Sequence, residues 1–242
     1  MQSTPLTLRG ISSMATKALL ATLTEAYHAK TGTRVQIESV GGVDAAKRVQ
    51  AGEAFDVVLL ASDAIERLIA GGHLQAGSRT DWVDSPVAVA VKAGAAHPDI
   101  HNEAALKAAV LASPSLSYST GPSGVYLEQL FERWGIADQV KPRVVVPPPG
   151  TPVGALVAQG QAALGFQQLS ELMALPGIDV LGNLPDDVAF ITTFSAGIPN
   201  AVAHDASRQA AVRDFLTFLT HTDQADTKQR HGMHWASRAV HG

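Results

Sequence analysis

The sequence predicts an α/β protein in which helices cover both faces of a mostly parallel sheet. Over roughly the first third of the chain, segments with strand and helix character alternate in the order βαβαβα. Residues 56–61 begin with Asp56 and continue as an unbroken apolar run up to Ser62, as expected of a central parallel strand. Hydrophobic residues make up 46% of the chain and aromatic ones only 5%. This composition favours a core of small aliphatic side chains packed between helices and a sheet.

Residues that start or stop regular structure bound each element of the first part of the chain. Ser12 or Ser13 is a suitable N-cap for a long helix, and Gly32 is suited to end it. Gly41 and Gly42 separate the second strand from the second helix. The predicted strands here cover 6–9, 34–40 and 56–61, and the predicted helices 13–31, 44–51 and 64–70.

A second series of strands and helices follows residue 85. The turn formed by Gly121, Pro122, Ser123 and Gly124 leads into a helix, and a triple proline at 147–149 ends a later strand. The predicted strands cover 86–92, 116–119, 143–146, 163–166 and 190–195. The predicted helices cover 102–111, 125–134, 153–159, 208–219 and 223–230.

Composition and charge exclude several classes of function. The net charge is −4 over 242 residues, and no run of Lys or Arg exceeds two, so we expect no nucleic-acid partner. No apolar run approaches the roughly 20 residues that span a bilayer. The chain has no cysteine, which excludes disulfides and thiol chemistry. His231 and His234 are three residues apart, a spacing that could bind a metal ion on a helix, but the sequence shows no third ligand. We therefore expect no metal ion, and we also expect no cofactor.

The turns from strand to helix carry the functional signal. Such turns aim unpaired backbone N–H groups and the positive end of the helix dipole at one point in space. Ser12 and Ser13 follow the first strand, Ser62 follows the third, and Ser123 with Gly124 opens a later helix. The repetition predicts a socket for a small anion.

Several of these segments, taken in order, resemble the molybdate-binding group of periplasmic solute-binding proteins from ABC transporters. The resemblance spans nearly the whole chain and is more specific for fold than for ligand. The segments that carry it are the Ser12-Ser13 turn and its helix, Val40-Gly41-Gly42-Val43, Lys47-Arg48-Val49-Gln50-Ala51-Gly52, Phe55-Asp56-Val57-Val58-Leu59-Leu60-Ala61-Ser62-Asp63, Pro122-Ser123-Gly124-Val125-Tyr126, Ala158-Gln159-Gly160-Gln161-Ala162-Ala163-Leu164-Gly165-Phe166 and Asp214-Phe215-Leu216-Thr217-Phe218-Leu219.

This resemblance implies a two-lobed, type 2 periplasmic-binding-protein fold, each lobe a mixed, mostly parallel sheet flanked by helices. Lobe 1 would comprise residues 1–85 and 195–242 and lobe 2 residues 86–194, with the ligand cleft between the lobes. The family is exported, so we expect a periplasmic protein whose signal peptide has been removed from this sequence. Members of the family serve a membrane permease of an ABC transporter and are expected to be monomers.

Two positions depart from the family pattern and bear on the ligand. The resemblance implies serine hydroxyls, backbone N–H groups and a tyrosine hydroxyl around molybdate. Val43 stands where one serine is expected, and Gln168 stands where an aromatic hydroxyl is expected. Each missing donor would leave an oxyanion oxygen unpaired at a cost of ~1–3 kcal/mol. We therefore expect an organic anion, such as a di- or tricarboxylate, rather than molybdate.

The candidate ligand-binding residues come from the strand-to-helix turns and from nearby cations. Arg9, Lys47 and Arg48 could pair with carboxylates or could only face water. The complete set that we expect to bind the ligand is Arg9, Ser12, Ser13, Gly42, Val43, Ser62, Ser123, Gly124, Val125, Tyr126, Thr151, Val153 and Gln168.

Two functions from different classes fit these residues. One is a carrier that delivers a small anion to a transporter. The other is an enzyme, because some proteins that resemble this family are aconitate isomerases, which interconvert trans- and cis-aconitate by an allylic proton shift. That reaction needs a carboxylate clamp and a base, for which Asp44, Lys47 or a serine hydroxyl are candidates. The sequence leaves both functions open.

Overall fold

The computed structural model describes residues 6–236, in which strands and helices alternate. The strands are β1 (Thr7–Ser13), β2 (Arg34–Val40), β3 (Val57–Ala61), β4 (Thr80–Lys92), β5 (Leu116–Tyr118), β6 (Leu164–Gln168), β7 (Ile178–Asn183) and β8 (Ile191–Gly197). The helices are α1 (Lys17–Thr31), α2 (Gly42–Gln50), α3 (Ser62–Ala70), α4 (Glu103–Ala112), α5 (Pro122–Arg133), α6 (Ala137–Val140), α7 (Val153–Ala158), α8 (Leu169–Met173), α9 (Ala206–Thr220) and α10 (Ala225–Arg230).

The chain divides into two compact units. Unit 1 comprises Met1–Asp84 and Thr193–Gly242, and unit 2 comprises Ser85–Thr192. The chain therefore passes from one unit to the other twice, once within β4 and once within β8.

Three parallel strands organise unit 1. Strand β1 pairs in parallel with β2 on one side and with β3 on the other, and β8 pairs antiparallel with β3. Because β1, β2 and β3 run in the same direction, their carboxyl ends lie at one edge of the sheet. Helices α2 and α3 begin directly after β2 and β3, so both helix starts lie at this edge.

Unit 1 buries an apolar layer on each face of its sheet. Successive side chains of a strand point to opposite faces, so Leu8 and Ile11 of β1 belong to different clusters. Leu8 packs in a cluster with residues of α1 and α9, whereas Ile11 packs with residues of α2 and α3. The small aliphatic side chains of the predicted core therefore pack on both faces of the sheet, between it and a layer of helices on each side.

Unit 2 has its own sheet and its own core. Strand β6 pairs in parallel with β5 and antiparallel with β4, and β7 pairs antiparallel with β4. The expected predominance of parallel strands thus describes unit 1 but not unit 2. Both antiparallel pairs of unit 2 involve β4, the strand that enters it from unit 1, whereas β5 and β6 are joined through helices and run in parallel. Val87, Leu127, Phe131 and Phe166 are among the residues of its main core cluster.

The structure corrects several predicted elements. Strand β1 continues through Ser13, and a 3₁₀ turn at Met14–Thr16 precedes α1, so neither Ser12 nor Ser13 caps α1. Ser13 holds the N-cap position of the 3₁₀ turn without a side-chain hydrogen bond. Pairing on both sides of β1 stabilises this extended stretch despite its poor strand propensity. Residues 143–146 form no strand, and only Val144 makes an isolated bridge. Strand β7 and helix α8 are absent from the sequence-based prediction, whereas Gly32 ends α1 with a φ of 76°, as predicted.

Candidate anion-binding site

In unit 1, the candidate residues collect where strands end and helices begin. Ser13 is the last residue of β1 and pairs with Val40, the last residue of β2. Gly42 begins α2, and a Cβ placed on it would lie 3.7 Å from the Cβ of Ser13. Ser62 begins α3 directly after β3. The fold therefore brings Ser13, Gly42 and Ser62 to one edge of the sheet in unit 1.

The structure distinguishes the two adjacent serines. The Oγ atoms of Ser12 and Ser39 lie 2.8 Å apart, and Ser12 Oγ also donates to the Ser13 carbonyl at 3.2 Å. The Oγ of Ser13 is buried and has no hydrogen-bond partner. A buried hydroxyl without a partner carries an uncompensated desolvation cost, which a ligand can relieve. Ser13 is therefore the better candidate for a ligand contact.

The starts of α2 and α3 offer backbone donors. Neither helix has a side-chain cap, so the N–H groups of its first residues have no partner within the helix. Asp44 and Asp63 lie in the first turns and reduce the positive potential there. Val43 follows Gly42 and is 51% exposed. An anion at this edge would meet N–H groups and one exposed apolar side chain.

The structure does not bring Arg9 to the serines. Arg9 lies four residues before Ser13 in β1, which at about 3.3 Å per residue separates their Cα atoms by roughly 13 Å. Its guanidinium lies 3.8 Å from Glu53 and 5.5 Å from the centre of the Phe55 ring. Arg9 was expected near the first turns, and the extension of β1 through Ser13 separates it from the Ser12-Ser13 turn.

Arg48 is neutralised by neighbouring carboxylates. It makes hydrogen bonds of 2.6 to 2.9 Å with both Glu38 and Glu53. These carboxylates hold the pKa of Arg48 above its usual value, and Arg48 lowers the pKa values of both glutamates. A guanidinium with two carboxylate partners is a poor clamp for a third. Lys47 is exposed on α2.

In unit 2, the turn before α5 is closely packed. The Oγ atoms of Ser119 and Ser123 lie 3.0 Å apart, and Ser123 and Gly124 are buried at the start of α5. A Cβ on Gly124 would lie 1.7 Å from the Ser119 carbonyl oxygen, a distance that no side chain could adopt. The absence of a side chain at Gly124 therefore allows the start of α5 to pack closely against the backbone of Ser119.

Val125 and Tyr126, the next two candidates on α5, differ in exposure and contacts. Val125 is 50% exposed. The Tyr126 hydroxyl donates to the Val188 carbonyl at 3.0 Å, and its ring stacks on Phe190 at 4.4 Å. Burial raises the pKa of Tyr126. Tyr126 thus has a packing role within unit 2, and its hydroxyl already has an acceptor.

The end of β6 carries two buried glutamines. Gln168 donates from Nε2 to Thr192 Oγ1 at 2.7 Å, and its Oε1 has no hydrogen-bond partner. Gln167 accepts from the Gly154 N–H at 3.4 Å and donates from Nε2 to Glu171 Oε1 at 2.9 Å. Gln168 therefore combines the two properties expected of a ligand contact, burial and a free polar atom.

Thr151 and Val153 lie near this network, at the start of α7. The Thr151 N–H donates to the Pro148 carbonyl at 2.9 Å, and Val153 is buried in a small apolar cluster. Gly154, one residue further, links α7 to Gln167. Val153 supports the position of α7 by packing rather than by a polar contact.

Glu171 is a candidate that the sequence analysis missed. It lies in α8, directly after β6, and is partly exposed. Desolvation of its carboxyl group raises its pKa to about 7, and the Gln167 hydrogen bond partly offsets the effect. Among the described carboxyl groups with a shifted pKa, only that of Glu171 is raised. The sequence around it, Leu169-Ser170-Glu171, carries no motif that could have singled it out.

The described residues contain no group of three His, Cys, Asp or Glu side chains that could hold a metal ion. His231 contacts the Thr227 carbonyl and Thr22 Oγ1 through its two ring nitrogens. Within the same range, none of the helices is long and apolar enough to cross a membrane.

The fold and its strand-end donors define a two-lobed solute-binding protein. The chain belongs to the family of bacterial extracellular solute-binding proteins, whose model matches residues 8–234. It is 37% identical to an aconitate isomerase from a Pseudomonas species over 235 residues, which cover 94% of this chain and 87% of that protein.

Solved structures share the fold at low sequence identity. The periplasmic molybdate-binding protein of Azotobacter vinelandii matches with a TM-score of 0.75 and 19% identity, covering 95% of this chain and 98% of that one. L-phospholactate-bound PEB3, a Campylobacter jejuni protein, matches with a TM-score of 0.72 and 14% identity over 94% and 99% of the two chains. These likenesses confirm the predicted type 2 periplasmic-binding-protein fold.

Proposed function

We propose that the protein binds an unsaturated tricarboxylate of the aconitate type in the periplasm and interconverts its trans and cis isomers. The observation that carries this proposal is the similarity to an aconitate isomerase over nearly the whole chain. The departures at Val43 and Gln168 support it, because an apolar side chain and an amide suit an organic skeleton better than a tetrahedral metal oxyanion.

The reaction requires a single proton acceptor and moves no electrons to or from the protein. The base removes a proton from the methylene carbon, and the electron pair of that C–H bond forms the new double bond. The original double bond opens toward the former vinylic carbon, which then receives a proton. The carboxylate next to the methylene carbon stabilises the negative charge that develops in the transition state if hydrogen-bond donors hold it.

Glu171 is the group best suited to accept the proton. A base works best when its pKa is near the working pH, and burial brings the pKa of Glu171 to about 7. Gln167 donates to one of its oxygens and would fix the orientation of the carboxylate. Glu171 lies three residues after Gln168, the last residue of β6. Glu171 replaces Asp44 and Lys47, both exposed on α2, as the proposed base.

The carboxylates of the substrate would be held without a cationic clamp. In unit 1, Ser13 Oγ and the N–H groups at the starts of α2 and α3 are the proposed donors. In unit 2, the start of α5 at Ser123 and Gly124 and the amide of Gln168 are the proposed donors. Each set lies within its own unit, and we propose both as donors to carboxylate groups.

The second candidate function is a carrier that delivers an organic polycarboxylate to an ABC-type permease. The solute-binding family and the fold shared with periplasmic molybdate-binding proteins favour it. In that case the same residues would bind the ligand, and Glu171 would have no proton to transfer. We propose a monomer whichever of the two functions the protein has.

Turnover of trans-aconitate separates the two functions. The protein is incubated with trans-aconitate, and the formation of the cis isomer is followed by proton NMR. The isomerase predicts conversion whose kcat/KM falls as the pH drops below about 7, because protonation of Glu171 removes the base. Binding of trans-aconitate without conversion, even at high protein concentration, would exclude the isomerase and support the carrier function. A larger thermal shift with molybdate than with any organic acid would contradict the proposal that the ligand is an organic anion.

A further inference from the structure

Two buried polar atoms without hydrogen-bond partners belong to unit 2, and one of them belongs to a residue without an assigned role. Ser85 lies in β4 with no exposed surface, and its Oγ has no hydrogen-bond partner. Gln168 at the end of β6 is 5% exposed, and its Oε1 also has no partner. Because most buried polar groups in native proteins are hydrogen-bonded, two unpaired groups in one unit require an explanation.

The strand register puts both side chains on the same face of the sheet. Val87 of β4 lies directly opposite Gln168 of β6 in an antiparallel pair, so their side chains share a face. Ser85 lies two residues before Val87 and therefore points to that face as well. Diagonal neighbours of this kind are about 7–8 Å apart, a gap that a small polar group can bridge.

Thr192 allows the Gln168 amide to serve a negatively charged ligand. Gln168 Nε2 donates to Thr192 Oγ1 at 2.7 Å. A threonine hydroxyl can also donate, so the same contact persists when the amide is turned to place Oε1 toward Thr192. The free atom is then Nε2, a donor, on the same face of the sheet as the hydroxyl of Ser85.

We infer that Ser85 and Gln168 together bind one carboxyl group of the organic anion, each donating a hydrogen bond to one of its oxygens. The inference rests on the proposed function, in that it takes the ligand to be a polycarboxylate. The two donors are neutral, so the subsite selects a planar carboxyl group by geometry rather than by charge. Thr192 positions Gln168 and does not contact the ligand.

The test measures the affinity of the wild type and of Ser85→Ala for trans-aconitate by titration calorimetry. We expect Ser85→Ala to bind trans-aconitate about tenfold more weakly, the loss of one hydrogen bond to a charged group. Its thermal stability without ligand should equal or exceed that of the wild type, because the hydroxyl that is removed has no partner. Ser117→Ala is the matched control, since Ser117 is equally buried but donates to the Val145 carbonyl at 2.7 Å. This control should lose stability and keep its affinity.

Dicarboxylates that each lack one carboxyl group identify the contact. Glutaconate, itaconate and mesaconate each lack a different one of the three carboxyl groups of trans-aconitate. One of them should bind wild type and Ser85→Ala equally, whereas the other two should bind the variant more weakly. Equal affinity of the two proteins for trans-aconitate, or a large loss of stability in Ser85→Ala, would overturn the inference. A wild type that binds none of these acids would instead overturn the proposed function.

Discussion

Gln167 Nε2 donates to Glu171 Oε1 at 2.9 Å, and this contact joins the end of β6 to a carboxyl group with a pKa of about 7. The same glutamine accepts from the Gly154 N–H at the start of α7. Gln167 therefore fixes Glu171 relative to two elements of unit 2. The high pKa follows from burial, which disfavours the charged carboxylate more than one neutral donor can offset.

Replacing Glu171 with Gln should change how stability depends on pH. The folded-state pKa is above the usual value of 4.5, so the native state holds the proton more tightly than the unfolded chain. This contribution to the free energy of unfolding is complete below pH 4.5 and is lost as the pH rises to about 7. We expect the wild type to lose roughly 3 kcal/mol more than Glu171→Gln between pH 4.5 and 7.5.

Denaturant unfolding at several pH values measures this difference. Glu132→Gln, an exposed change on α5, serves as the control and should follow the wild type. Parallel pH profiles for the wild type and Glu171→Gln would show that Glu171 titrates normally and is unsuited to be the base.

Lys228 should make the protein more stable in alkaline solution. Its ammonium is fully buried and donates to the Trp82 carbonyl at 2.6 Å, and burial lowers its pKa to about 8. Between pH 8 and 10.5 the unfolded chain holds the proton that the native state has released, so stability rises with pH. We expect a rise of roughly 2–3 kcal/mol in the wild type that is absent from Lys228→Met.

Chemical denaturation at pH 7.5 and pH 10 tests this prediction. Lys141→Met, at an exposed position, should retain the rise. The same rise in Lys228→Met would mean that other groups cause it.

The start of α5 should not tolerate a side chain at Gly124. A Cβ there would lie 1.7 Å from the Ser119 carbonyl oxygen, so Gly124→Ala must displace the backbone of the turn. We expect a loss of more than about 2 kcal/mol in the free energy of unfolding and weaker ligand binding. Gly121→Ala is the matched change, because its Cβ would lie 3.7 Å from Ser119 Oγ, an ordinary contact. Unfolding midpoints that are equal for the two variants would contradict this account of the turn.

Ser12 and Ser13 should respond oppositely to substitution. Ser13→Ala removes a buried hydroxyl that has no partner, so the free protein should remain as stable while ligand affinity falls about tenfold. Ser12→Ala breaks the hydrogen bond with Ser39 and should cost about 1 kcal/mol of stability with little change in affinity. Thermal unfolding and calorimetric titration with trans-aconitate measure both effects, and an unchanged affinity in Ser13→Ala would remove it from the site.

The fold was largely predictable because local patterns agree with tertiary packing in most elements. The apolar run of β3 is buried on both faces, and Gly32 stops α1 where the sequence predicts. Strand β1 was underestimated because Gly10, Ser12 and Ser13 have low strand propensity, which pairing with β2 and β3 overrides.

The candidate site was less predictable, since its chemistry depends on partners that are distant in sequence. From the sequence, Arg48 could be a free cation, but in the structure it makes hydrogen bonds with Glu38 and Glu53. The pKa of Glu171 and the unpartnered hydroxyl of Ser85 arise from enclosure by other elements, which no local motif records.

The most direct test of the central claim is the rate at which the wild type and Glu171→Gln convert trans-aconitate to cis-aconitate at pH 7.5. We expect the wild type to reach the same mixture of isomers from either side. Glu171→Gln should bind trans-aconitate but convert it at least a hundredfold more slowly, which is the effect expected on removal of a general base. A wild type that leaves both isomers unchanged, or a Glu171→Gln variant as fast as the wild type, would contradict it.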